Sequence, residues 1–221
     1  MTTVFETMWT ATVKDLSAVM RTTLRKPVPK SAAQLEDKCS RLLDAFPNYV
    51  THRDISLNLN DDLFGYALQV QMFGGDVRLS MNAVTVELHC ARLKTKGALQ
   101  AASQVMTGIT DLFCPDDAAA SDLVFALHAA FPDAAAYADY MKGYTDADKG
   151  IEAGGKSVFG EGRSFAGKAH LITENSAVFE NAVFVSFTAF TSEKVQAELF
   201  QKIEARFTDL AETCKLSIVM P

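Results

Sequence analysis

Residues 55–90, ISLNLNDDLFGYALQVQMFGGDVRLSMNAVTVELHC, show the pattern that decides the fold. Apolar and polar residues alternate here in four short runs, which predicts four strands with one set of side chains on each face. Gly74-Gly75 is typical of the tight turn between two strands. Strands with such short connections pair antiparallel, because parallel pairing needs a long crossover. The stretch therefore predicts an antiparallel sheet.

Helical spacing precedes and follows the predicted sheet. Ser31 is expected to cap a helix that runs to Phe46. After the sheet a long helix is predicted, with an apolar side made of Leu99, Ala102, Val105, Met106, Ile109, Leu112 and Phe113. The clearest helical spacing comes last, in Val195, Leu199, Ile203, Phe207, Leu210 and Cys214. Similar spacing near the N-terminus predicts one more helix, from Phe5, Trp9, Val13, Leu16 and Met20.

The middle of the chain is rich in alanine and then in glycine. Leu123, Leu127 and Phe131 predict a short helix, and Asp133 is expected to begin another. Residues 150–167 are Gly-rich and aperiodic, which predicts a loop. Alternation then returns around Val183, Val185 and Phe187, and a short strand is predicted after the last helix.

Together these elements predict an α+β fold, with antiparallel sheet packed against long amphipathic helices in one globular domain over residues 1–221. Residues 84–112 and 183–210 both read as strand, polar turn and helix, and both helices end in an apolar residue followed by Thr-Asp-Leu. This likeness favours two related halves, 50–115 and 166–221, with a helical and Gly-rich connector over 116–165. Whether the halves are a true duplication is left open.

Composition excludes several classes of protein. The chain is 48% hydrophobic and 22% charged, as globular domains are, and its net charge of −6 argues against nucleic-acid binding. The N-terminal residues lack the pattern of a secretory signal, and no apolar run is long enough for a membrane helix. The four cysteines are scattered and the four histidines form no cluster, which predicts a soluble cytoplasmic protein with no metal site and no cofactor.

One stretch matches a nucleotide-binding motif formally. Residues 150–157, GIEAGGKS, satisfy the spacing of a phosphate-binding loop and make Lys156 and Ser157 candidate ligands of a phosphate. Such a loop needs a buried strand before it and a helix that begins at the Lys-Ser pair. The residues before it, TDADK, do not read as a strand, and Gly160 and Gly162 disfavour a helix after it. The match is therefore interpreted as accidental.

Two pairs of residues are candidates for acid–base chemistry. Glu87 and His89 share one face of a predicted strand, where they are able to act as base and orienting group or simply as a surface ion pair. His52 and Asp54 lie at the head of another strand and are candidates to share a proton or a metal ion, with a polar solvent-facing surface as the alternative. Neither pair belongs to a recognisable catalytic motif.

Two classes of function remain. The first is a non-catalytic binding protein, an adaptor or immunity-type module, that engages another protein through a sheet face or through the acidic segment 111–152. The second is a small-molecule or phosphate-binding enzyme that closes residues 150–167 as a lid and uses Lys156, Arg163 and Lys168 as cations. The missing catalytic motifs favour the first class. A homodimer is left open.

Overall fold

The computed structural model describes residues 8–29, 31–114, 118–143, 145–146, 151–152 and 155–221. Four helices are found there: α1 (Ala32–Ala45), α2 (Lys96–Phe113), α3 (Ala134–Lys142) and α4 (Ala197–Thr213). The strands are β1 (Trp9–Leu24), β2 (Ile55–Leu59), β3 (Tyr66–Met72), β4 (Val77–Met81), β5 (Thr85–Cys90), β6 (Ala118–Ala130), β7 (Thr145–Asp146), β8 (Ile151–Glu152), β9 (Gly155–Glu161), β10 (Gly167–Asn175), β11 (Ala182–Thr191) and β12 (Leu216–Val219).

Ten of these strands form one sheet, in the order β2-β3-β4-β5-β1-β6-β11-β10-β9, with β12 beside the first part of β1. Neighbours pair antiparallel except β12, which runs parallel to β1 and places Leu216 opposite Trp9. The long strands β1 and β6 lie side by side at the centre. Strands β7 and β8 pair with each other separately. The predicted α+β class with antiparallel sheet is confirmed, although strands rather than long helices dominate the fold.

The two faces of the sheet differ in burial. On the helix-covered face, one row of paired residues is at most 1% exposed: Leu79, Leu88, Met20, Leu123, Ala189 and Ala169. The next row lies on the opposite face, which we call the open face, and is exposed or half-buried: Arg78, His89, Val19, Val124, Thr188, His170 and Phe159. Since alternate side chains of a strand point to opposite faces, the core lies between the sheet and the helices.

The helices build the second layer of the core. Buried side chains of α2 include Val105, Met106 and Ile109, and those of α4 include Leu199, Ile203 and Leu210. An ion pair of 2.8 Å joins Lys194, just before α4, to Asp111 near the end of α2. This contact shows that the two helices run antiparallel over the sheet. Ser31 and Asp133 cap α1 and α3 with their side chains, as the sequence predicts.

The predicted N-terminal helix is wrong over its described part, because residues 9–24 form strand β1. Its Phe5 lies outside the described residues. The register between β1 and β6 shifts between Val13 and Asp15, so an extra residue there changes the spacing of core positions from two to three. Val13, Leu16 and Met20 then lie on one face at intervals that also fit a helix.

The predicted helix around Leu123 and Leu127 is also wrong, since both residues belong to strand β6. Their interval of four fits two periods of a strand as well as about one turn of a helix. The predicted loop over 150–167 is wrong for Ile151–Glu152, which form β8, and for Gly155–Glu161, which form β9 at one edge of the sheet. The segment TDADK, which the sequence does not predict as a strand, has its first two residues in the short strand β7. Gly150 lies outside the described residues.

The four predicted strands within residues 55–90 are confirmed as β2 to β5, and the final short strand is confirmed as β12. Within the described chain, a strand, a helix, a set of hairpin-connected strands and a helix occur in this order twice, from β1 to α2 and from β6 to α4. The division into halves 50–115 and 166–221, and their origin by duplication, stay predictions.

Candidate functional site

The open face is the candidate site, because no helix among the described residues packs on it. Its two halves differ in chemistry. Strands β3, β4 and β5 contribute mainly polar side chains, whereas β9 and β11 contribute the phenylalanines and β6 and β10 contribute one histidine each beside smaller or charged side chains. An antiparallel sheet commonly leaves one polar face to water, so the polar half needs no further explanation. The aromatic half does.

The polar half contains the first pair of predicted site residues. Glu87 and His89 lie two positions apart on β5 and both point to the open face. The Arg21 guanidinium donates to Glu87 Oε2 at 2.6 Å. A shallow depression of about 350 Å³ lies beside them, lined by Gln69, Gln71, Arg78, Ser80, Glu87 and His89. Glu87 is therefore held by a surface ion pair, which is the non-catalytic of the two interpretations.

The aromatic half is defined by exposed rings. Phe159 on β9 is 60% exposed and Phe190 on β11 is 40% exposed, which is unusual for phenylalanine on a strand. Lys168 lies 5.9 Å from the centroid of the Phe159 ring. We call the exposed and half-buried apolar side chains of this half the aromatic patch: Val124, Phe159, Ile172, Phe179, Phe184 and Phe190.

Two histidines support the aromatic patch from within the face. The ring of His170 lies 5.5 Å from that of Phe159 and hydrogen-bonds Ser157 Oγ at 2.7 Å. His128 packs 5.4 Å from Phe179 and 5.1 Å from Phe184, and it hydrogen-bonds the Ser176 hydroxyl at 2.9 Å. These contacts fix the orientation of the rings.

The Ser157–His170 contact has the composition of a nucleophile and its base, but it lacks the third group that would orient the histidine. Within the described residues, the His170 ring contacts Ser157 and Phe159, and neither is acidic. The residue opposite His170 on β11 is Thr188, and that on β9 is Phe159. The pair therefore serves packing better than catalysis.

His52 and Asp54 are placed differently from the prediction. They lie in a short 3₁₀ turn before β2, and not on the strand itself. Asp54 accepts hydrogen bonds from the hydroxyl of Thr51 at 2.7 Å and from its backbone N–H at 2.8 Å. These bonds lower the pKa of Asp54. The carboxylate caps a turn through Thr51 rather than through His52.

The candidate phosphate ligands do not converge. Lys156 and Ser157 are neighbours on β9, so Lys156 points to the helix-covered face, 5.7 Å from the Tyr140 ring centroid, and Ser157 to the open face. Arg163 lies in the turn after β9 and pairs with Asp209 of α4 at 3.4 Å. Lys168 points to the open face. Lys168 thus lies on the opposite face of the sheet from Lys156 and from the Arg163–Asp209 pair, and no helix begins at Lys156.

The predicted sites are also far from one another. Strands β5 and β9 are separated by five strand spacings, or about 24 Å, so Glu87 and His89 share no cleft with Ser157. By the same measure β2 and β5 are about 14 Å apart, which separates His52 and Asp54, just before β2, from Glu87 and His89 on β5. Among the described residues no group of three metal-binding side chains is close enough to hold an ion.

Comparisons with known proteins give no further direction: no protein-family model and no curated protein matches the chain. In the described part of the chain, no helix is long and apolar enough to cross a membrane.

Sequence reasoning missed the aromatic patch. The alternation of Lys156 and Val158 with Ser157 and Phe159 is the signal that would have found β9. The glycines around it concealed that signal. Gly155 is required for close packing, because a Cβ there would lie 2.3 Å from the backbone oxygen of Thr173.

Proposed function

We propose that this chain is a non-catalytic binding protein that engages another protein through the aromatic patch on the open face. The exposure of Phe159 and Phe190 carries the proposal. Large apolar side chains exposed together on a folded protein mark interaction sites, and aromatic residues are enriched in protein–protein interfaces.

The charges around the aromatic patch favour a partner held by contact over one attracted from a distance. The row that contains Phe190 runs Ser80, Glu87, Arg21, Asp122, Phe190, Lys168, Glu161, so positive and negative groups alternate across the face. An alternating row gives no large field of one sign. Charged groups of both signs beside the exposed rings suit an interface in which polar residues surround an apolar centre.

The acidic segment 111–152 is less suited to binding. Asp111 is paired with Lys194, Asp133 caps α3, and Asp139 pairs with Lys142. Asp116, Asp117 and Asp148 lie outside the described residues. Asp111, Asp133 and Asp139 therefore have structural partners, and Asp122 lies on the open face itself. We therefore take the sheet face as the stronger of the two surfaces that the sequence offers.

We place the binding protein in the cytoplasm. None of the four cysteines, all of which lie in the described part of the chain, forms a disulfide, and Cys90, Cys114 and Cys214 are buried. Buried thiols that are not oxidised suit a reducing compartment. The enzyme alternative has no support from the geometry, since its cations diverge and its proposed lid includes strand β9.

The test compares two double variants with the wild type. Phe159→Ser/Phe190→Ser removes the rings of the aromatic patch, and Leu57→Ser/Leu59→Ser removes two side chains, 38% and 53% exposed, from the helix-covered side of edge strand β2. Affinity capture from native lysate, followed by calorimetry with the purified partner, should show one stoichiometric protein for the wild type and the leucine variant. The phenylalanine variant should bind it at least about tenfold more weakly.

Equal binding by both variants would show that the partner uses another surface. Analytical ultracentrifugation of the purified 24.0 kDa chain tests whether the aromatic patch binds another copy of the chain instead of a different protein. If the wild type and the leucine variant form a dimer and the phenylalanine variant does not, the partner is a second copy of the chain. Failure of the wild type to capture a protein or to dimerise would contradict the proposal.

A further inference from the structure

A cleft lies between helices α2 and α4, on the side of the sheet away from the open face. Its volume is about 310 Å³, and a smaller pocket of about 100 Å³ shares its lining residues Leu99, Phe125 and Glu204. Small-molecule sites in proteins begin at about this size. The cleft is separate from the aromatic patch, and any function it has is additional to protein binding.

The floor of the cleft is an aromatic ring at the centre of the sheet. Phe125 lies on β6 between Leu123 and Leu127, which are 1% and 3% exposed, and its cross-strand neighbours Ala18 and Phe187 are fully buried. Phe125 itself is only half-buried. A ring in this position would be covered if the helices met above it, so its exposure shows that they do not.

The side chains that face the cleft explain why it stays open. Packed helices normally interdigitate large apolar side chains at an axis separation of 8–10 Å. Here most of the facing positions are small or polar: Gln100, Ser103 and Gln104 on α2, and Ala197, Gln201 and Glu204 on α4. Most large apolar residues of the two helices are buried against the sheet, and Leu99 and Phe200 line the cleft without closing it.

The chemistry of the lining indicates the ligand. Leu99, Phe125, Phe200 and Phe207 supply an apolar interior, and three glutamines and one serine supply neutral hydrogen-bonding groups at the rim. The two charges at the rim, Lys96 and Glu204, have opposite signs. A ligand with a net charge therefore gains little from the site and loses hydration when it enters.

We propose that the cleft binds an uncharged, planar, mainly apolar small molecule that carries one hydrogen-bonding group. An apolar cavity of about 150 Å³ holds a benzene ring, so about twice that volume fits two fused rings. Such a ring lies against Phe125 and Phe200, where offset or edge-to-face contacts between aromatic rings are favourable. Its polar group reaches the glutamines of the rim.

The probe is 2-naphthol at neutral pH, where it is uncharged, and binding is measured by isothermal titration calorimetry. Ala197→Trp places a large side chain in the mouth of the cleft from the exposed first residue of α4. Ala134→Trp is the matched control, because Ala134 is the exposed first residue of α3 and does not line the cleft. We expect the Kd to rise at least about tenfold in the first variant and to stay unchanged in the second.

The chemical class has its own comparison. The anion 2-naphthoate should bind the wild type at least about tenfold more weakly than 2-naphthol. Equal or tighter binding of the anion would overturn the assignment to uncharged ligands. Absence of 2-naphthol binding to the wild type, or equal binding by Ala197→Trp, would overturn the site itself. Phe159→Ser/Phe190→Ser should bind 2-naphthol normally, so the outcome is independent of protein binding at the open face.

Discussion

Replacement of two phenylalanines on the same strand tests which face of the sheet forms the core. Phe187 and Phe190 both lie on β11, three residues apart, so their side chains point to opposite faces. Phe187 is fully buried, and its ring lies 5.4 Å from Phe207 and 6.2 Å from Phe125. Phe190 is 40% exposed on the open face.

Phe187→Ala should lower the free energy of unfolding by about 3–5 kcal/mol, through the lost burial of the ring and the cavity left beside Phe125 and Phe207. For a domain of this length, that corresponds to a fall in Tm of about 6–20 °C. Phe190→Ala should cost about 1 kcal/mol or less, because a large part of its ring already contacts water.

Guanidinium denaturation, followed by the fluorescence of the single tryptophan, Trp9, and by far-UV circular dichroism, measures both variants. The dependence of the unfolding free energy on denaturant concentration should stay that of the wild type, so that the midpoint alone reports stability. Similar losses for the two variants would refute the assignment of faces. A larger loss for Phe190→Ala would mean that the open face is covered in solution.

Three further predictions concern buried groups and close packing. Burial raises the pKa of the Cys90 thiol to about 12, so this thiol stays protonated at mildly alkaline pH. A thiol reagent should therefore modify the partly exposed Cys39 before Cys90, and mass spectra that show early labelling of Cys90 would contradict this. Burial also raises the pKa of Tyr66 from 10.0 to about 12, so between these pH values the folded protein keeps a proton that the unfolded chain releases. The free energy of unfolding should therefore fall as the pH rises from 10 towards 12. Chemical denaturation of Tyr66→Phe should show a smaller fall, and a fall equal to that of the wild type would exclude Tyr66 as its source. Gly155→Ala should destabilise the protein by about 1–3 kcal/mol, because the added Cβ meets the Thr173 carbonyl oxygen. In the same denaturation experiment Gly97→Ala should be neutral or stabilising, because the nearest atom to its added Cβ, Thr95 Oγ1, is 3.9 Å away.

The sequence predicts the fold best where local pattern and tertiary environment agree. In β2 to β5, the alternation of apolar and polar residues reflects one covered and one open face, and short turns leave only antiparallel pairing. Helices α1 and α3 begin where their capping residues predict, because a cap is a contact within one turn.

Prediction fails where the spacing of core residues fits two structures at once. Leu123 and Leu127 in β6, and Leu16 and Met20 in β1, are four residues apart, which suits a helix turn and a strand face equally. Alanine in β6 favours a helix locally, but pairing with β1 on one side and β11 on the other decides the strand. The pairing with β1 joins segments about a hundred residues apart and the pairing with β11 joins segments about sixty residues apart, so no local pattern reveals either.

The candidate site was even less accessible from sequence. Glu87 and His89 share one face of β5, as the alternation predicts, but the ion pair of Glu87 depends on Arg21 of β1, and the sequence does not predict that strand. The aromatic patch combines Phe159, Phe184 and Phe190 through strand pairing that only the assembled sheet reveals. The cleft above Phe125 depends on the separation of two helices, which is a tertiary property.

The central position of β1 has a consequence for how the protein is made. Its neighbour β6 begins 94 residues after β1 ends, and ribosomes add about 5–20 residues each second. Strand β1 therefore waits about 5–20 seconds after its synthesis before β6 emerges, with at least one edge of its backbone unpaired. Nascent chains in this interval offer an extended, Thr- and Val-containing segment to chaperones or to each other, so the yield of native protein should depend on translation speed and on chaperone supply.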